Sequence, residues 1–221
     1  MKLDIDSDDL PKSIAVEGPI GVGKTSLALL LSETLGYEPW LESSETNPFL
    51  KRFYENQRQA ALQTQLFFLF ERARQLQAMR QSQLFNPLRV TDFLMEKDQL
   101  FAKVNLDADE LKLYDNIYQH LSIESPAPDL VIYLQAPADV LVERIKQRGN
   151  RAEQNIDKLY ITQLVDAYTS FFHHYETSPL LIVNASMIDP VSSESDYEEL
   201  LDFIVSIKQG RHYYNPVPNL L

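Results

Sequence analysis

The stretch from Gly18 to Thr25, which reads GPIGVGKT, has the residue types and spacing of a loop that binds nucleotide phosphates. Glycines let the backbone curl so that successive N–H groups point at phosphate oxygens. Lys24 is expected to reach the terminal phosphates, and the Thr25 hydroxyl is expected to bind Mg²⁺. The residues predicted to contact a nucleoside triphosphate in this loop are Gly18, Gly21, Val22, Gly23, Lys24, Thr25 and Ser26.

The residues on either side of the loop distinguish a phosphate site from a chance glycine turn. Ser13 to Val16 form a short apolar run typical of a buried strand, and Ser26 to Leu35 are strong helix formers. Strand, glycine loop and helix is the order that the motif requires, and the helix N-terminus adds partial positive charge. The sequence therefore predicts a site for a nucleoside triphosphate.

Two carboxylates follow other predicted strands and have the chemistry that phosphoryl transfer needs. Such a transfer requires a metal ion, cations around the moving phosphoryl group and an acceptor for the hydroxyl proton. Asp92 could bind Mg²⁺ directly or through water, and Glu42 could accept the proton. Either residue could instead be an ordinary solvated loop carboxylate. Because ligands bind beyond the carboxyl ends of parallel strands, we favour the functional interpretation.

Candidate cations cluster near the end of a later helix. Arg144 and Arg148 are four residues apart and share one helix face, and Arg151 follows Gly149. These residues predict a mobile lid over about residues 144–156 that brings positive charge to the phosphates. The alternative is that the arginines only stabilise the negative end of the helix dipole.

The long helical stretch from Gln59 to Gln83 carries a second polar group. Gln65 and Arg72 are seven residues apart, so they lie on nearly the same face of a helix otherwise lined with Leu and Phe. They could form a surface stripe, or a pocket that hydrogen-bonds a flat heterocycle. Their spacing leaves both possibilities open.

Strands that alternate with helices must position these side chains, which predicts an α/β fold with a parallel five-stranded sheet and helices on both faces. The predicted strands are 13–16, 37–41, 88–91, 130–134 and 180–183. The predicted helices are 26–35, 59–83, 109–121, 138–148, 157–175 and 196–208, with a short one opened by Asn47 and Pro48. Residues 1–12 are expected to be a flexible acidic tail, residues 13–208 one domain, and residues 209–221 a C-terminal tail.

The composition narrows the classes of partner. The 221 residues carry a net charge of −12 and no cysteine, which excludes disulfides and cysteine-based zinc sites. The sequence shows no basic patch of the kind that binds nucleic-acid polymers, and no apolar run near the ~18 residues of a membrane span. We therefore expect a cytoplasmic protein with small nucleotide ligands and no membrane or nucleic-acid partner.

With these segments in view, the chain resembles the deoxynucleoside kinases, most closely the bacterial deoxyadenosine/deoxyguanosine kinases. The resemblance runs from about Ser13 to about Phe203. It rests on the order and spacing of IAVEGPIGVGKT, LESSETNPFLKRFY, QTQLFFLFERAR, TDFLMEKDQLFAKVN, PDLVIYLQAP and ERIKQRGNRAEQNI. It implies a P-loop kinase fold with a lid, a homodimer formed by helices and Mg²⁺-dependent transfer of the ATP γ-phosphoryl group to a 5′-hydroxyl.

The resemblance also implies a role for each candidate. Glu42 matches the catalytic base, and Asp92 matches an acidic residue that helps to hold Mg²⁺. The other matches are Tyr54 and Glu153 for the sugar 3′-hydroxyl, Gln65 for the base, Arg72 and Asp98 for a charged pair near the base, and Arg144 and Arg148 for lid arginines. Because such a polar pocket is associated with adenine, guanine or cytosine, deoxyadenosine or deoxyguanosine is the expected substrate.

Three positions depart from the family pattern. Ser43 stands where the family usually has Pro, Phe93 where it has an arginine, and Asn150 where the lid often has another arginine. Arg151 or Arg72 could supply the missing charge. Two other functions stay open: a nucleoside monophosphate kinase such as a thymidylate kinase, which would not need Glu42, and a non-catalytic nucleotide-binding regulator, which Phe93 would permit.

Overall fold

The computed structural model describes residues 10–82, 88–121, 125–150, 153 and 155–216 of the chain. Its strands are β1 (Ser13–Glu17), β2 (Glu38–Trp40), β3 (Arg89–Thr91), β4 (Leu130–Gln135), β5 (Leu180–Asn184) and β6 (Arg211–Tyr214). They form a parallel sheet in the order β2-β3-β1-β4-β5-β6. The α/β class and the parallel sheet are confirmed, but the expected count of five strands is one too low, because β6 lies within the segment expected to be a tail.

Eight α-helices connect these strands within the described residues. They are α1 (Lys24–Leu35), α2 (Leu50–Glu55), α3 (Gln57–Ser82), α4 (Glu96–Asn105), α5 (Ala108–His120), α6 (Ala138–Arg148), α7 (Lys158–His173) and α8 (Glu194–Ser206). A short 3₁₀ turn over Ser44–Thr46 precedes α2. The sequence analysis predicted α6 with its observed bounds and α1, α3, α5, α7 and α8 within two residues, but it assigned no helix at α4.

Local sequence signals account for where several helices begin and end. Asp107 caps α5, and Glu110 completes the reciprocal capping box with it. Asp157 and Ser193 accept backbone hydrogen bonds at the starts of α7 and α8. The helix α3 runs through 26 residues because its sequence contains neither Gly nor Pro.

The core lies on both faces of the central strands. The first five residues of β4 are buried, as expected for a strand that helices cover on both sides. Tyr133 of β4 stacks on Phe172 of α7 with ring centroids 4.2 Å apart. None of the described helices is long and apolar enough to cross a bilayer.

The sheet order places β1 between β3 and β4, so the chain leaves β1 toward one side of the sheet and later continues on the other. Such a switch point opens a crevice beyond the carboxyl ends of the strands. The glycine loop that follows β1 lies at this crevice. The topology therefore brings together the loops after β1, β2 and β3, which carry Lys24, Glu42 and Asp92.

Candidate active site

The phosphate loop has the backbone geometry that its glycines predict. Gly18, Gly21 and Gly23 have φ values of 151°, 83° and 104°. A Cβ on Gly18 would lie 2.4 Å from the carbonyl oxygen of Leu134, so the loop is packed directly against β4. Lys24, the first residue of α1, donates from Nζ to the Pro19 carbonyl oxygen within the same loop at 3.3 Å. Burial, reinforced by the nearby Lys97, lowers the pKa of Lys24 to about 8.

Asp92 joins the phosphate loop to the loop after β2. Its Oδ2 accepts a hydrogen bond from the Thr25 hydroxyl at 2.5 Å, and its Oδ1 accepts one from the backbone N–H of Glu42 at 2.7 Å. The two residues predicted to hold Mg²⁺ therefore touch each other. Their hydroxyl and carboxylate oxygens are the donor type that Mg²⁺ prefers. Among the described residues, no group of three or more His, Cys, Asp or Glu side chains could hold a metal ion.

Glu42 lies in a cavity beside the phosphate loop, and two cations share its carboxylate. Arg72 of α3 donates to Oε1, and Lys97 of α4 donates to Oε2 at 2.7 Å. Burial by itself would raise the pKa of Glu42, but Arg72 and Lys97 outweigh that effect and lower it to about 2. The carboxylate is therefore ionised at every physiological pH.

The polar residues of α3 form the deep end of the same cavity. Gln65 and Arg72 are both buried, so they are not a surface stripe. Arg72 pairs with the fully buried Asp98 at 2.9 Å, and Gln65 donates from Nε2 to Asp98 Oδ1 at 2.6 Å. The ring of Phe68 lies 5.3 Å from the Arg72 guanidinium. Fixed, directional polar groups on an aromatic floor suit a flat heterocycle.

Tyr54, Glu153 and Arg148 form a second group of residues that line the cavity. Arg148 donates to the Glu153 carboxylate, which joins the last residue of α6 to the segment that follows it. Burial, with Tyr160 and Glu153 nearby, raises the pKa of Tyr54 well above its usual range, so its hydroxyl stays protonated. A protonated hydroxyl next to a carboxylate can bind an alcohol as both donor and acceptor.

The structure separates the two lid arginines. Arg148 lines the cavity, whereas Arg144 donates to the carbonyl oxygens of Ala185 at 2.8 Å and of Val22 at 3.5 Å. Arg144 therefore contacts the phosphate loop from outside. Val22 is buried and Ser26 is exposed on α1. Arg151 lies outside the described residues.

Comparison with known proteins decides which enzymes the chain is related to. The family model described as deoxynucleoside kinase matches residues 14–207. The chain belongs to the deoxynucleoside kinase family. A deoxyguanosine kinase of Bacillus subtilis is 35% identical over 192 residues, covering 85% of this chain and 93% of the relative. A deoxyadenosine kinase of Lactobacillus acidophilus is 30% identical over 203 residues, covering 85% of this chain and 92% of the relative.

Solved structures agree with this membership. A deoxyadenosine kinase from M. mycoides with bound dATP superposes with a TM-score of 0.76 at 27% identity, covering 88% of this chain and all of that one. A second structure of that enzyme, with the products dCMP and dCDP, gives the same TM-score. This deoxynucleoside kinase therefore has the P-loop kinase fold and is a phosphotransferase. These relatives support neither of the two alternative functions, a non-catalytic regulator or a nucleoside monophosphate kinase.

The sequence analysis did not predict two charged residues at the site of this deoxynucleoside kinase. Lys97 contacts Glu42, and Glu17 at the end of β1 is buried under the phosphate loop. A signal existed for each: Glu17 directly precedes the first glycine of the loop, and Lys97 is the first lysine after Phe93. Phe93 and Leu94 are buried, so position 93 carries no cation to the cavity.

Proposed function

We propose that this chain transfers the γ-phosphoryl group of ATP to the 5′-hydroxyl of a purine deoxynucleoside. The observation that carries the proposal is the ionised Glu42 carboxylate in the same cavity as Lys24 and Thr25. In the reaction, the 5′-oxygen bonds to the γ-phosphorus, its proton passes to Glu42, and the bond from phosphorus to the bridging oxygen breaks to release ADP.

The part of the site that binds ATP needs a metal ion and a positively charged side chain. When bound, Mg²⁺ would neutralise charge between the β- and γ-phosphates. Thr25 and Asp92 would supply its protein oxygens, with phosphate and water oxygens completing the shell. Lys24 would leave the Pro19 carbonyl oxygen to bind the terminal phosphates. Because a phosphate near the Lys24 ammonium favours its charged form, nucleotide binding keeps this lysine protonated.

The acceptor side supports a preference for deoxyribose. Tyr54 and Glu153 line the cavity near each other and would hold the 3′-hydroxyl. Side chains that close around the 3′-hydroxyl leave little room for a 2′-hydroxyl. Ribonucleosides should therefore be poorer substrates than their deoxy counterparts.

The base end of the cavity supports a purine. Gln65 and Arg72 line the cavity and would face a base that can pair with them, while the buried Asp98 orients both from behind. A thymine edge would leave part of this set unpaired. The relatives named deoxyguanosine kinase and deoxyadenosine kinase agree with such a preference. We expect deoxyadenosine or deoxyguanosine to be the best acceptor, deoxycytidine to be possible and thymidine to be poor.

An ATP-consumption screen over the four deoxynucleosides, their ribonucleoside counterparts and the monophosphates tests the proposal. Lys24→Ala, Glu42→Gln and wild type are compared on the best acceptor. Lys24→Ala should lower kcat by orders of magnitude, and Glu42→Gln should lower it by ~10²–10⁴ with nucleoside binding retained in calorimetry. Turnover only on monophosphates, or near-normal turnover by Lys24→Ala, would contradict it.

The base preference has its own test. Replacing Arg72 and Asp98 together with Met and Leu removes both charges from the deep end of the cavity. Because the polar groups that reject thymine are gone, the ratio of kcat/KM for thymidine over deoxyadenosine should rise. An unchanged ranking of the four deoxynucleosides would show that this pair does not select the base.

We also propose that two copies associate as a homodimer through helices, as the family resemblance suggests. Phe70 on α3 is about half exposed, and a groove between α4 and α7 includes the apolar residues Leu100, Val104 and Phe171 among polar ones. Light scattering after size exclusion should give twice the chain mass of 25.5 kDa. A mass equal to one chain would contradict this part of the proposal.

A further inference from the structure

The cation that the family pattern places at position 93 has no counterpart there in this chain. Phe93 is buried and lines a separate small cavity together with Ile14, Leu76 and Met79. That cavity shares no lining residue with the one around Glu42. Any cation that acts at the acceptor must therefore come from another side chain.

Lys97, in the first turn of α4, reaches the acceptor cavity instead. Its side chain is only 5% exposed, and its Nζ lies 2.7 Å from Glu42 Oε2 and 3.9 Å from Glu17 Oε1. A buried ammonium is costly unless it is paired, and a cation in the first turn of a helix also opposes the helix dipole. Two carboxylates offset both costs: Glu42, which lines the cavity, and Glu17, which is buried behind it.

The anchor of Lys97 is rigid. Glu17 Oε1 accepts hydrogen bonds from the Gly18 N–H at 2.9 Å and from the Tyr168 hydroxyl at 2.8 Å. Its Oε2 accepts one from the Leu94 N–H at 2.9 Å. Glu17 therefore links the phosphate loop, the segment before α4 and α7. The lysine lies between this fixed carboxylate and Glu42, which can exchange partners when substrate binds.

The other cations of the described cavity are committed elsewhere. Arg72 is shared between Glu42 and Asp98, and Arg148 is paired with Glu153. Lys24 belongs to the phosphate loop. Lys97 is the cation that lies between the loop and the carboxylate, on a flexible four-carbon stem that can follow a moving group.

We propose that Lys97 replaces the missing arginine by contacting the γ-phosphoryl group during its transfer to the acceptor hydroxyl. The inference rests on the proposed function. As the 5′-oxygen attacks, the Lys97 ammonium turns from Glu42 Oε2 to the equatorial oxygens of the phosphoryl group and stays protonated. Glu42 Oε2 is thereby free to take the 5′-proton, while the bridging oxygen leaves with ADP.

The test compares Lys97→Met and Lys97→Arg with wild type and with Lys112→Met, a matched change at an exposed lysine of α5. Lys97→Met should lower kcat for the best deoxynucleoside by ~10²–10³, the usual loss for one transition-state donor, with KM changed much less. Lys97→Arg keeps the charge and should retain most of kcat. Lys112→Met should match wild type.

A binding measurement separates contact with the phosphoryl group from a structural role. ADP with aluminium fluoride and deoxynucleoside mimics the transferring group, and calorimetry should find it bound ~10²-fold more weakly by Lys97→Met. Affinities for ADP alone and for nucleoside alone should be unchanged, which also shows that the variant is folded. If Lys97→Met does not fold, the same comparison is made with Lys97→Gln.

Two results would overturn the proposal while leaving the proposed function intact. One is full kcat in Lys97→Met. The other is a loss of kcat without weaker binding of the aluminium fluoride complex, which would make Lys97 a positioning residue for Glu42. If wild type phosphorylates no nucleoside at all, the proposed function fails first, and this inference fails with it.

Discussion

The charge state of Glu42 is set by its two cationic neighbours more than by its burial. Arg72 and Lys97 hold its pKa at about 2, below the usual value of about 4.5. Because the pKa is lower in the folded state than in the unfolded chain, the ionised carboxylate stabilises the fold above pH 4.5. That stabilisation is lost as the pH falls toward 2, where the folded protein also binds the proton.

A substitution at Glu42 should therefore have a pH-dependent effect on stability. At pH 7, Glu42→Gln should lower the free energy of unfolding by on the order of 3 kcal/mol, the equivalent of the pKa difference. The difference from wild type should shrink as the pH is lowered from 4.5 toward 2. Urea unfolding followed by circular dichroism at several pH values measures it.

Glu45→Gln is the matched control for this experiment, because Glu45 is an exposed glutamate of the neighbouring 3₁₀ turn. Its free energy of unfolding should match that of wild type at each pH. If the loss in Glu42→Gln were the same at pH 3 as at pH 7, the ion pairs with Arg72 and Lys97 would not be its source.

At the residue scale, the sequence predicted many of the side chains that lie at the cavity, but not all of the contacts between them. The strand ends located Glu42 and Asp92 correctly beside the phosphate loop, because parallel strands end at one edge of the sheet. Whether Arg72 was buried depended on how α3 packs, which its spacing from Gln65 does not determine. Lys97 was missed because its contact with Glu42 joins positions 55 residues apart.

At the scale of elements, the phosphate loop shows how tightly a turn can constrain a residue type. Gly18 has φ near 151°, and a Cβ added there would lie 2.4 Å from the Leu134 carbonyl oxygen of β4. Gly36, which ends α1, also has a positive φ, of 70°, but a Cβ there would meet nothing within 4 Å. Substitution of either glycine introduces backbone strain, but only a substitution at Gly18 also introduces a steric clash.

Gly18→Ala should therefore cost more than Gly36→Ala. An alanine at Gly36 has only the strain of the left-handed conformation, ~1–2 kcal/mol. An alanine at Gly18 must also displace the backbone of β4, so a loss of about 3 kcal/mol or more is expected, with weaker ATP binding. Thermal unfolding and calorimetric ATP titration measure both effects. Equal losses in the two variants would show that the loop has room to shift.

Two helices, α6 and α4, show why sequence patterns predicted some elements and missed others. The helix α6 buries Leu141 and Ile145, four residues apart, so its apolar spacing is regular and its bounds were predicted. The helix α4 buries Lys97 and Asp98 along with Leu100 and Ala102. Two charged residues on its inner face break the apolar periodicity, so the hydrophobic pattern did not predict this helix.

At the scale of the whole molecule, the main correction concerns the edge of the sheet. β6 pairs in parallel with β5, with Leu180 opposite Arg211 and Val183 opposite Tyr214. The segment around β6 has prolines at 216 and 218 and no apolar alternation. Its sequence pattern therefore predicted a C-terminal tail. An edge strand with one buried neighbour needs little hydrophobic pattern, because its partner strand and contacts from other elements hold it.

A chain that ends at Lys208 should consequently be less stable than one that ends at Asn215. Truncation at Lys208 removes the β5–β6 ladder and two hydrogen bonds from the Arg211 guanidinium to the carbonyl oxygens of His173 and Tyr175, at 3.1 and 3.0 Å. It also removes the Phe203–Tyr214 ring contact at 5.3 Å. At a net ~1 kcal/mol for each hydrogen bond, several kcal/mol are lost, which lowers Tm by roughly 10 °C in a domain of this size.

The chain that ends at Asn215 retains all of these contacts and serves as the control. Because β6 lies three strands from β1, the shorter chain should still bind ATP with unchanged affinity at temperatures where it is folded. The newly exposed edge of β5 should also promote self-association, which light scattering detects. If the chain ending at Lys208 unfolded at the same temperature as the control, β6 would contribute nothing to stability, and the domain would end at residue 208 as the sequence predicted.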